Sequence, residues 1–70
     1  MYDINVFCAR LKEARKNAGM TQKQLGEELG MLQTAYSRFE RGKYQFNYEQ
    51  LTFIAKRLCV SVDYLLGLTE

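Results

Sequence analysis

The chain has 70 residues, room for one small domain and not for a second. Its 47% hydrophobic and 26% charged content is that of a folded globular protein and excludes disorder. A net charge of +2 with no polybasic run argues against strong non-specific polyanion binding, and the lack of histidine removes histidine catalysis and histidine metal ligation.

Helical periodicity runs through the sequence. Phe7, Leu11, Ala14 and Ala18 recur at steps of four, three and four, so a first helix is expected over about 4–18, capped by Asp3 and stopped by Gly19. Thr21 and Gln24 have capping-box spacing and start a second helix, about 22–29, with Leu25 and Leu29 inward. Gly30 ends it. A third helix, about 33–40, points Tyr36 and Phe39 inward and stops at Gly42. Asn47 and Gln50 form another capping-box pattern and open a fourth helix, about 48–58, with a core stripe of Leu51, Ile54, Ala55 and Leu58. Ser61 caps a fifth, about 62–67, carrying Val62, Leu65 and Leu66, with Asp63 suiting its positive end. No segment reads as a strand, so residues 1–70 are expected to form a single all-α, five-helix domain.

Cys8 and Cys59 lie in apolar surroundings, far from any metal-ligand spacing. They read as reduced, buried small hydrophobes ahead of a disulfide. No apolar run approaches membrane-spanning length, and Met1 to Asn5 has no basic leader, so a cytoplasmic location is expected.

The informative stretch is 22–41. Two short helices joined only by Gly30-Met31-Leu32 must cross sharply. Gly26, inside the second, costs about 1 kcal/mol against Ala; a close approach by the next helix would account for it. The blocks Arg10-Leu11-Lys12-Glu13-Ala14-Arg15, Gly19-Met20-Thr21-Gln22-Lys23-Gln24-Leu25, Tyr36-Ser37-Arg38-Phe39-Glu40-Arg41-Gly42-Lys43 and Val60-Ser61-Val62-Asp63-Tyr64-Leu65-Leu66-Gly67 stand in order. With them the chain resembles the XRE/Cro phage-repressor-like helix-turn-helix family over about residues 7–67.

That resemblance implies a lambda-repressor-like domain of bacterial or phage origin. It would bind double-stranded operator DNA, typically palindromic, as a homodimer, and regulate transcription, with repression the default. It places Gln33, Thr34, Ser37 and Arg38 against base edges and Thr21 and Gln22 against phosphates, and it pairs Arg15 with Glu40. Lys23, Arg41 and Lys43 flank the same face as candidate phosphate ligands. The dimer contact would fall near the fifth helix and the loop before the fourth, with Phe46, Tyr64 and Leu68 as candidates; Val62 and Leu65 read better as core. No cofactor, metal, membrane or small-molecule ligand is implied.

The residues agree with this chemically. A glutamine amide pairs with adenine N6/N7, an arginine fork with guanine O6/N7, and the Thr34 methyl suits a thymine methyl. The charge is +2 over residues 1–20, +1 over 21–44 and −1 over 45–70, so the basic excess lies in the part holding the reading unit. Three positions depart from the family. Leu32 stands where a Ser or Thr caps the recognition helix, which forfeits about 1 kcal/mol. Cys59 stands where a Gly ends the fourth helix, so a different ending is expected there. The loop 43–47 lacks Pro, and its neighbourhood holds Tyr44, Phe46 and Tyr48, a local cluster or a partner surface. An enzyme is not expected: there is no histidine, no paired carboxylate set and no phosphate loop. The rival reading is a helix-turn-helix protein-interaction module of antitoxin type, which would put apolar residues on the exposed face of the third helix.

Overall fold

The computed structural model describes residues 3–70; Met1 and Tyr2 of the expected unit lie outside the described residues. Among these are five helices and no strand: α1 (Ile4–Asn17), α2 (Gln22–Glu28), α3 (Gln33–Glu40), α4 (Tyr48–Leu58) and α5 (Val62–Leu65). The all-α expectation holds, and α5 is shorter than its sequence pattern suggests.

Local chemistry sets the helix starts. Asp3 accepts hydrogen bonds from the Asn5 and Val6 amides, Thr21–Gln24 and Asn47–Gln50 form reciprocal capping boxes, and Ser61 accepts from the Tyr64 amide. Only α3 has no side-chain cap, because Leu32 occupies its N-cap position.

All five helices end in the same Schellman pattern. At α3 the Gly42 amide donates to Phe39 O and the Lys43 amide to Arg38 O; at α4 Cys59 donates to Lys56 O and Val60 to Ala55 O. Glycine supplies the left-handed residue in four of them, but in α4 it is Cys59, at φ 60° and ψ 40°. The expected different ending therefore does not occur. Two returning hydrogen bonds and the packing of Val60 against the core hold a non-glycine residue in a conformation that costs roughly 1–2 kcal/mol. Cys59→Gly should relieve this strain and raise stability by about 0.5–1 kcal/mol after the extra chain entropy of glycine. A higher urea midpoint at unchanged slope is the expected reading.

Leu11, Leu25, Tyr36, Ile54 and Leu65 are fully buried, one from each helix, and define the core where the helices converge. Several inward positions differ from the sequence pattern. Ala18 is exposed as the C-cap of α1, and Met20, beyond the reach of the α1 periodicity, is buried. Leu51 is half-buried. Cys8 is half-buried and Cys59 exposed; both are free thiols, so neither is the buried hydrophobe expected. The exposure of Cys59 follows from its place in the turn that ends α4.

Gly26 has the close neighbour its position requires. A Cβ there would meet Tyr36 Cβ at 3.1 Å and Met31 O at 3.4 Å. Its absence lets α3 cross directly over α2, with Met31 N–H donating 2.8 Å to Gly26 O to set the elbow.

The loop aromatics divide. Phe46 stacks on Phe39 at 4.8 Å between centroids and tilts against Phe7 and Tyr36 at 6.2 and 6.3 Å. Tyr44 packs on Phe39 as well, at 5.5 Å. Phe39 is thus half-buried beneath the loop rather than part of the central core. Tyr48 is 90% exposed. No helix among the described residues is long and apolar enough to cross a membrane.

Candidate nucleic-acid interface

The outer face of α3 is what the elbow presents. Tyr36 anchors the helix from within, which turns Gln33, Thr34 and Arg38 to solvent and leaves Ser37 half-buried at the face. Gln22, Gln33, Thr34, Ser37, Arg38 and Arg41 line one open hollow. Its side chains are amides, hydroxyls and two guanidinium groups, with no carboxylate. Such a set offers bidentate amide and guanidinium donors to groove edges and repels no phosphate. Thr21, Lys23 and Lys43 are exposed but lie outside that hollow.

The orientation of α3 is held by a buried ion pair. Arg15 Nε is 2.9 Å from Glu40 Oε2, and Arg15 Nη2 donates to Glu40 Oε1 at 3.0 Å, a bidentate fork. Both residues are buried, at 6% and 4% exposure. The remaining guanidinium nitrogen, Nη1, donates to Met20 O at 2.8 Å, tying the end of α1 into the same network. Gln22 Nε2 donates to Glu40 Oε1 at 3.2 Å, so its side chain braces the start of α2 against the end of α3. That is a structural engagement beside the phosphate role expected for Gln22.

Burial pushes the Glu40 carboxyl up, but the Arg15 fork, the nearby Tyr36 hydroxyl and the Gln22 amide outweigh it, so the group lies below the usual carboxylate range. Arg15 is correspondingly raised by its hydrogen bonds to Glu40. Burial, with the Glu40 charge beside it, raises the Tyr36 hydroxyl above the ordinary phenol range. That hydroxyl lies beside the pair, buried and without a hydrogen-bond partner.

One cation beside this hollow was not among the residues expected there. Lys12 lines a second hollow with Cys8, Ala9, Gln22, Glu40 and Arg41, which adjoins the α3 hollow through Gln22 and Arg41. The signal was present: Cys8, Lys12 and Arg15 share a helical face, and Arg15 points at Glu40.

Two dimer candidates are engaged within their own chain. Phe46 is packed among Phe7, Tyr36 and Phe39, as above. Tyr64, expected to be exposed, is half-buried: Arg10 lies 4.4 Å from its ring centroid and donates to its carbonyl at 2.6 Å and to Thr69 O. Leu68 is 60% exposed. An apolar hollow lies near the loop, lined by Ile4, Tyr44, Phe46, Tyr48, Leu51 and Leu66 among others.

Two helices hinged at a glycine elbow, the second outward-facing and polar and both braced on a third, define a helix-turn-helix domain. The chain belongs to the helix-turn-helix family, whose model matches residues 11–65; this is a family of DNA-binding transcription regulators. It is 35% identical over 65 residues to the uncharacterized HTH-type transcriptional regulator YobD of Bacillus subtilis, covering 93% of this chain and 58% of that protein. It is 40% identical over 61 residues to the HTH-type transcriptional activator BcrR of Enterococcus faecalis, covering 87% and 30%. It is 38% identical over 58 residues to the cryptic phage CTXphi transcriptional repressor RstR of Vibrio cholerae, covering 83% and 52%. The chain thus spans between about a third and three-fifths of the length of these relatives.

Proposed function

We propose that this chain is a sequence-specific DNA-binding transcriptional regulator, acting by repression and reading an operator half-site with α3 in the major groove. The observation that carries this reading is the acid-free hollow of amide, hydroxyl and guanidinium groups along the exposed face of α3. Gln33, Thr34, Ser37 and Arg38 take the base edges. Thr21, Gln22, Lys23, Arg41 and Lys43 take phosphates, joined by Lys12 at the side of the same face.

One recognition helix spans only a few base pairs, so affinity and specificity require two copies on a palindromic site about one helical turn apart. The surface around Leu68, and the hollow edged by Tyr44 and Tyr48, supply the apolar area for a homodimer. The setting is the bacterial cytoplasm, where the operator lies, and the protein works by occupying DNA rather than by catalysis. A protein-interaction module would call for an apolar α3 face, and the polar character of this one favours DNA.

Selection from a random duplex library tests the reading. A palindromic enriched site with centres 10–10.5 base pairs apart is expected; enrichment no greater than for a scrambled library would overturn it. On that site Lys23→Ala should weaken all sequences about equally and lower the salt slope by about one, read from titrations over a range of salt.

A further inference from the structure

The family of the chain says nothing about why its recognition helix begins with a leucine. Leu32 has N-cap geometry, at φ −71° and ψ 153°, and makes no cap hydrogen bond. Its side chain is 77% exposed. It is followed directly by Gln33 and Thr34, both exposed on the reading face. The other large exposed apolar side chains, such as Tyr48, Phe53 and Leu68, belong to α1, α4, the loop or the C-terminal end. Leu32 does not line the α3 hollow itself; it is an exposed apolar group at the N-terminal end of the helix that carries it. In the free protein it is unfavourable twice, through the missing cap and through apolar area left in water. Both losses would be avoided by a serine.

Resting on the DNA-reading proposal above, we infer that Leu32 is a specificity-determining residue that recognises the C5-methyl group of a thymine bordering the Gln33 contact. Major-groove edges carry donors and acceptors on every base pair but only one apolar group, the thymine methyl. A leucine side chain at the N-terminal end of a helix lying in that groove has no polar group to offer and matches that methyl alone. Placing it there removes both apolar surfaces from water.

The test uses the enriched operator with each thymine replaced in turn by deoxyuridine, which keeps every hydrogen-bonding edge and lacks only the methyl. For the unaltered protein one thymine per half-site should show a three- to fivefold loss on replacement, about the value of one buried methyl. Leu32→Ser and Leu32→Ala should both bind the thymine and uracil forms equally at that position. Leu32→Ser should also melt about 4–8 °C higher, because serine caps α3, whereas Leu32→Ala should not. If no thymine shows a loss that both variants abolish, while Gln33→Ala still changes base preference, the methyl contact is refuted and DNA reading stands. If no site is enriched at all, both fall together.

Discussion

Arg15→Met should destabilise the domain by about 3–5 kcal/mol, enough to unfold a large fraction of so small a protein at 37 °C. The substitution keeps most of the apolar stem but leaves the Glu40 carboxylate, at 4% exposure, with only the Gln22 amide as a donor. It also removes the donor to Met20 O, which joins the end of α1 to the network. The double variant Arg15→Met/Glu40→Leu should recover most of the loss, because an apolar pair of similar volume leaves no buried charge behind. Urea denaturation of the two singles and the double measures the coupling; strictly additive losses would mean that the pair acts as two independent charges.

The same pair sets an acid limit. The folded Glu40 carboxyl lies below its unfolded value, so its contribution is complete above the ordinary glutamate range and is lost as pH falls from there through the folded value. The unaltered protein should therefore lose stability progressively below about pH 4.5, and the Arg15→Met/Glu40→Leu variant should lose less over that interval. At the alkaline end the raised Tyr36 hydroxyl acts in the opposite sense. It stays protonated in the fold while the unfolded chain ionises, so stability declines as pH rises above the ordinary phenol value.

Gln33→Ala and Arg38→Ala should each weaken operator binding by about 1–3 kcal/mol and relax preference at one base pair. Both side chains are exposed and make no intramolecular bond that the fold needs, so melting temperature should change little. The diagnostic pattern is a loss confined to operator variants that keep the contacted base, with unchanged affinity for non-specific DNA. Arg41→Ala and Lys23→Ala should instead lower both together, because a phosphate contact carries no sequence information. Titrations against single-base variants at two salt concentrations separate the two classes. Unchanged base preference in both Gln33→Ala and Arg38→Ala would remove α3 as the reading element.

The brace and the α3 hollow are coupled through Gln22. Its amide bonds to Glu40, while the same residue lines the hollow with Gln33 and Arg38. Arg15→Met keeps that bond but frees the Glu40 carboxylate from its fork, which leaves Gln22 alone to hold the end of α3, so the substitution should weaken DNA binding even at a temperature where the protein stays folded.

Helix positions were legible because their signals are local. A capping residue acts on an amide two or three positions away, and a left-handed turn needs only its own residue and two returning hydrogen bonds. Asp3, Thr21, Asn47 and Ser61 start their helices as their side chains dictate. The crossing of α2 and α3 was also legible, from a mid-helix glycine that is unfavourable unless something packs on it. The polar composition of the α3 face followed from helical spacing alone.

The remainder was decided by contacts between segments distant in sequence. Cys59 is left-handed because Val60 is drawn back onto the core, a pull that its own propensity opposes. Phe46 leaves the surface because three rings from α1 and α3 converge on it. Tyr64 is covered by Arg10, which stands 54 positions earlier. Lys12 lies beside Gln22 and Arg41 because the Arg15–Glu40 fork fixes the rotation of α1 against α3. Sequence by itself determined which elements form and which chemistry α3 carries, since those depend on neighbours within one helical turn. Only the tertiary structure decided which side chains remain available to a partner, since availability depends on what the rest of the chain has already covered.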